Sequence, residues 1–249
     1  MAKQPLYLNP LFLGGVAVSV VGILAMRRRS APRISTDVVP KWVQDMATPP
    51  TRGPVPQGQS GVRLGKYFTL PEMLVSTTAR SKGLSNQPPD TEEGYVVANL
   101  RALVQNALDP IREAYGPVQI TSAFRSPAVN DAIPPHGGSL LCRNHGFPNN
   151  KAPNSAMALR IAARTNTPCG SQHLLGEAAD FKFIGKTLTS QEIAAMVVRL
   201  RDQGKVKFDQ LVWYAPDQSS HVHISYRRRG TNRNEVLKKT ASGYVELPP

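Results

Sequence analysis

The residue pattern predicts an α+β domain, a small antiparallel sheet packed with helices, carried behind a single N-terminal transmembrane helix and a Pro-rich linker. Three observations point this way. No charged residue occurs from Gln4 to Met26, and Leu11 to Met26 is almost wholly apolar. Residues 30–66 are rich in Pro, Ser, Thr, Gly and Gln, including Pro49-Pro50 and Pro54-Val55-Pro56. Beyond Tyr67, segments with helical apolar spacing are interspersed with short segments that alternate.

The apolar run comes first. As a helix rising about 1.5 Å per residue it is long enough for a bilayer core about 30 Å thick, so residues 5–26 are expected to contact lipid. A cleaved secretory signal carries its positive charges before the apolar run. Here only Lys3 precedes it and Arg27-Arg28-Arg29 follow, so an uncleaved, single-pass anchor over residues 1–29 is expected. The linker composition over 30–66 favours extended chain without a core of its own.

The folded part is expected over 67–249. Thr69 caps a helix with Pro71 and Glu72 in its first turn. Thr91 opens a longer helix through Val96, Val97, Leu100, Leu103, Val104 and Leu108. Pro110 is expected to kink or restart it, and Gly116 to end it. Val118 to Ser122 and Ala179 to Ile184 read as strands. Ser190 with Gln191 and Glu192 opens an amphipathic helix closed by Gly204. Phe208 to Tyr214 and His221 to Tyr226 read as an antiparallel pair across the turn at 215–220. Gly243 to Leu247 closes the sheet, while Arg227-Arg228-Arg229 and Lys238-Lys239 read as solvated surface.

Composition bounds the partners. The chain carries a formal charge of +13 with 249 residues, and its pI is about 10.1. The partners it favours are therefore anionic: acidic lipid, an anionic wall polymer or nucleic acid. Aromatics make up only 6% and do not interleave with basic residues, so specific nucleic-acid binding is not expected. Two cysteines, Cys142 and Cys169, make no disulfide scaffold.

The chemistry is concentrated in two stretches. Ser171-Gln172-His173-Leu174-Leu175-Gly176-Glu177-Ala178-Ala179-Asp180 sets an imidazole and a carboxylate around a glycine turn. His221-Val222-His223-Ile224-Ser225 adds two imidazoles that share one face of a strand, with the aliphatics on the other. A His, Asp, His set of this kind suits a catalytic zinc with an open fourth position.

The pattern Ser-x-His-x-x-Gly-x-Ala-x-Asp followed by Val-His-Ile-Ser resembles the zinc D-Ala-D-Ala carboxypeptidase and phage endolysin peptidases, peptidase family M15. The likeness covers roughly Tyr67 to Leu247. It implies zinc held by His173, Asp180 and His223. Ser122-Ala123-Phe124-Arg125-Ser126-Pro127 matches the family's S-x-x-R-S-P signature, which implies that Arg125 holds a substrate carboxylate. A guanidinium suits that task, being bidentate and permanently charged. The implied activity is hydrolysis of peptide bonds in peptidoglycan stem peptides or cross-links.

The chain departs from the family in two places. Relatives run almost directly from the Asn130-Asp131 region to the zinc motif, whereas here an insert occupies about 134–170. It holds His136, Cys142, His145 and Cys169, and three readings stand: a lid over the cleft, joined by a Cys142–Cys169 disulfide where the compartment oxidises, a second zinc site using Cys142 and His145, or an ornament with free thiols. The second departure is Tyr214, where many relatives carry Glu. The catalytic candidates are then His221, favoured because one branch of the family has His-x-His there, and Asp217 as base or as a group orienting His221. Glu177 is the weakest candidate.

Two function classes follow: a zinc peptidase, or a non-catalytic zinc-stabilised module that binds wall or a structural partner from a membrane tether. Location is expected to be a virion membrane or a bacterial cell envelope. The arginines at 27–29 favour a cytoplasmic C-terminal side, which fits virion assembly or a lysis protein held back until the membrane is breached.

Overall fold

The computed structural model of the protein describes residues 61–133, 154–165, 169–215 and 220–246. The expected anchor and most of the linker lie outside these residues. Among the described residues no helix is long and apolar enough to cross a membrane.

The architecture is α+β. Helices α1 (Leu70–Met73), α2 (Thr77–Lys82) and α3 (Glu93–Leu103) precede strand β1 (Val118–Ser122). Thr69 caps α1 as expected, forming a capping box with Glu72, and it donates to Glu72 from both its amide and its hydroxyl. The packed part reaches back to Leu64 and Phe68, each 1% exposed.

Pro110 does not break the long helix. The chain passes from α3 through one wide π turn, Val104–Leu108, into α4 (Asp109–Tyr115). Proline lacks the N–H that would bond the carbonyl of Asn106, and the amide of Lys207 donates to that carbonyl instead, at 3.0 Å. The restart expected at Pro110 thus takes the form of a π turn backed by a tertiary hydrogen bond.

Helix α5 (Pro127–Asp131) follows β1, and α6 (Ser155–Thr165) lies within the insert. Ala158, Leu159 and Ala162 of α6 join the hydrophobic core, so this part of the insert is a packing element. Cys169 is disulfide-bonded and fully buried. His136, Cys142 and His145 lie outside the described residues. The remaining elements are β2 (Ala178–Phe183), α7 (Ser190–Asp202), β3 (Gln210–Tyr214), β4 (Val222–Ser225), β5 (Glu235–Thr240) and β6 (Gly243–Glu246).

The six strands form one sheet in the order β1-β2-β4-β3-β5-β6. The expected antiparallel pairing of β3 with β4 is present. The sheet is nevertheless mixed, because β5 runs parallel to β3, from Gln210↔Glu235 to Tyr214↔Lys239. This corrects the all-antiparallel expectation. The physical reason is the connection after β4, which carries the chain past β3 to its far side. Lys238-Lys239, read as surface, belong to a strand, where their ammonium groups stack on Trp213 and Tyr244 at 5.0 and 4.3 Å from the ring centroids. Sequence alternation is weak there because the lysine stems cover aromatic rings in place of aliphatic side chains.

One face of the sheet is buried. Phe181, Leu211, Val222, Ile224 and Val236 meet α3, α4 and α7 in a single core with Leu100, Leu108, Ile111 and Val197. The other face holds the polar residues, and the candidate site sits there on the central strands β2 and β4.

Candidate active site

The register of the sheet assembles the site. Asp180 of β2 pairs with His223 of β4 and with Ser122 of β1, so all three side chains share one face. The loop from Ser171 to Glu177 brings His173 over the same spot. Gly176 turns this loop with φ +72°, and a Cβ there would stand 2.9 Å from the carbonyl oxygen of Val96. A glycine is required on both counts. Asn99 Nδ2 holds the loop by donating to the Leu175 carbonyl at 2.9 Å, and Gln172 Nε2 ties it to Asp209 at 2.9 Å.

His173 is 5% exposed, and its Nδ1 lies 2.7 Å from the carbonyl oxygen of Ala123. A carbonyl only accepts, so Nδ1 carries the proton and Nε2 presents its lone pair. His173 Nε2, Asp180 Oδ1 and His223 Nδ1 then form a triangle with edges of 3.3, 3.0 and 3.1 Å. Ligand atoms about 2.0–2.1 Å from a tetrahedral zinc stand about 3.3–3.4 Å apart, so three corners of such a site are already in place. Among the described residues, this is the group of His, Cys, Asp and Glu able to hold a metal ion. Burial pushes the Asp180 carboxyl up, but the facing imidazoles of His173 and His223 outweigh it and hold the group well below its ordinary range. Burial lowers the pKa of His173 and favours the neutral ring. A charged carboxylate beside the neutral His173 ring is the form that binds a metal.

Every polar residue of the S-x-x-R-S-P stretch has a partner. Ser122 Oγ accepts from Arg125 Nε at 3.2 Å, and Arg125 Nη2 donates to Asp180 Oδ2 at 3.3 Å. The guanidinium thereby holds the carboxylate oxygen that the triangle leaves over. Ser126 caps α5, with Pro127 in its first turn, and Asn86 clamps the segment through the Phe124 carbonyl and the Ser126 amide. The last motif serine, Ser225, is fully buried and accepts from the Gln210 amide at 3.0 Å.

His221 stands just before β4, on the same side as His223. Its ring is 5.0 Å from that of Tyr214, and partial burial lowers its pKa. Tyr214 is on the site face of β3. Burial, and then the charge of Asp180, push its phenol up, so it remains protonated and can donate. Asp217 lies outside the described residues. Glu177 is brought elsewhere: its charged neighbours are Arg227, Asp209 and Arg228. Sequence reasoning missed Lys182 and Tyr244, whose strand positions place them on this face. The signal available was alternation from Asp180 to Lys182.

No curated protein and no solved structure matches the chain. A family model does match, over residues 66–145, from the start of the packed part through β1 and the Arg125 segment and ending before His173. That model is described as Peptidase M15, and the His-Asp-His group, which lies beyond the matched residues, is assembled as that resemblance implies.

Proposed function

We propose that the protein is a zinc peptidase that hydrolyses peptide bonds of peptidoglycan stem peptides or cross-links, held at a virion membrane or cell envelope by residues 5–26. The observation that supports this best is the triangle of His173 Nε2, Asp180 Oδ1 and His223 Nδ1, with edges of 3.0–3.3 Å. These three residues would hold the zinc, which when bound supplies Lewis acidity and a water of lowered pKa.

The remaining work falls to the protein. The Ala123 carbonyl fixes the tautomer of His173, and Arg125 with Ser122 orients Asp180. His221 is the group that takes a proton from the attacking water and returns one to the leaving amine, because it shares the site face and is not one of the three clustered ligands. Its ring is kept in place by Tyr214. The protonated phenol of Tyr214 is a donor, not a base, so it does not replace the carboxylate that relatives carry there. That substitution is the observation favouring the second reading, a non-catalytic wall-binding or structural module.

The test is metal content of the purified protein together with release of new amines from peptidoglycan. One zinc and a measurable rate are expected. His221→Ala is expected to keep the zinc and to lower turnover by about 10²–10⁴-fold. Bound zinc without any amine release selects the module.

A further inference from the structure

A cleft of about 610 Å³ opens at the end of β2, lined by Gln119, Lys182, Ile184, Lys186, Leu188 and Ser220 among others. It adjoins the site. Lys182 follows Asp180 by two residues on the same face of β2, a step of about 6.8 Å along a strand. The ladder that pairs Phe181 with Val222 carries Lys182 alongside His221. Among the described residues, the Lys182 ammonium has no hydrogen bond or ion pair, and neither does the Gln119 amide. The floor is apolar: Ile184 is 54% exposed and lies in this cleft with Leu188.

Arg125 is differently placed. Its Nε and Nη2, which form one of its two bidentate edges, are engaged by Ser122 and Asp180. Among the described residues, the cation that stands beside the site without a hydrogen bond or ion pair is Lys182.

We infer that Lys182 and Gln119 form a subsite for a substrate carboxylate on a short methylene chain, as in a glutamate side chain one to two residues from the scissile bond. The ammonium and the amide donate to the carboxylate, and the methylenes lie on Ile184 and Leu188. A peptide residue spans about 3.3–3.6 Å, so the step from Asp180 to Lys182 covers about two residues. This inference rests on the peptidase reading for its substrate and deepens it.

The experiment uses zinc-loaded full-length protein in detergent and pairs of peptides differing only in Glu or Gln, placed on either side of the bond. Binding is measured by calorimetry and cleavage by amine release. The Glu peptide is expected to bind about tenfold more tightly, the low end for a charged hydrogen bond at a partly exposed site. Added salt reduces the preference. Lys182→Gln removes it without loss of zinc, and Lys182→Glu reverses it. Equal affinity for the two peptides overturns the inference. So does a preference that survives Lys182→Gln but is lost in Arg125→Ala. A Lys182-dependent preference without cleavage keeps the subsite and rejects the peptidase, whereas cleavage without preference does the reverse.

Discussion

Replacing Glu177 by glutamine separates the metal loop's structural acid from its chemistry. Glu177 is 4% exposed, and its Oε2 has no hydrogen-bond partner. Burial raises its pKa from 4.5 to about 7, against the opposing charge of Arg227. The folded protein therefore keeps the proton to about pH 7, while the unfolded chain releases it near the ordinary value. The unfolded state binds fewer protons throughout that window, so this group makes stability fall as pH rises from about 4.5 to 7 and then level off. At about 1.4 kcal/mol per pH unit the full cost is about 3 kcal/mol. Glu177→Gln mimics the protonated form and removes the cost. Urea unfolding of the metal-free proteins is expected to show the variant more stable by up to about 3 kcal/mol at pH 8, with the two converging near pH 4.5. Peptide hydrolysis is expected to persist, because Glu177 faces Arg227, Asp209 and Arg228. A variant less stable at pH 8 refutes the burial argument. A variant that keeps its zinc but loses hydrolysis moves the base from His221 to Glu177.

Two further outcomes are expected. His223→Ala, or His173→Ala, should empty the metal site and lower thermal stability, because metal affinity is linked to folding; metal analysis that finds zinc retained in either variant rejects the ligand set. Deleting residues 1–29 should release the protein from membranes in a flotation assay while leaving small-peptide hydrolysis unchanged, and a full-length protein that does not float with lipid removes the anchor.

Much of the site was legible in the chain because its ligands lie in local patterns. His173 and Asp180 flank one glycine turn and His223 lies on an alternating strand, and it is the family resemblance of these stretches that implies they act together. The helix start at Thr69 and the antiparallel pairing of β3 with β4 were likewise set by residues within a few positions of one another. What depended on partners distant in sequence was decided only by the tertiary structure. The helix survives Pro110 because Lys207 bonds the carbonyl of Asn106. The sheet is mixed because β5 crosses to the far side of β3, and Lys238 and Lys239 become strand residues by stacking on Trp213 and Tyr244. Arg125 orients Asp180, Glu177 faces the arginines behind the loop, and Lys182 meets the cleft, each through contacts spanning tens of residues. Local sequence determines turns, caps and the alternation of a strand. Which groups meet across the sheet, and how buried each becomes, depends on register and packing, and those are properties of the whole fold.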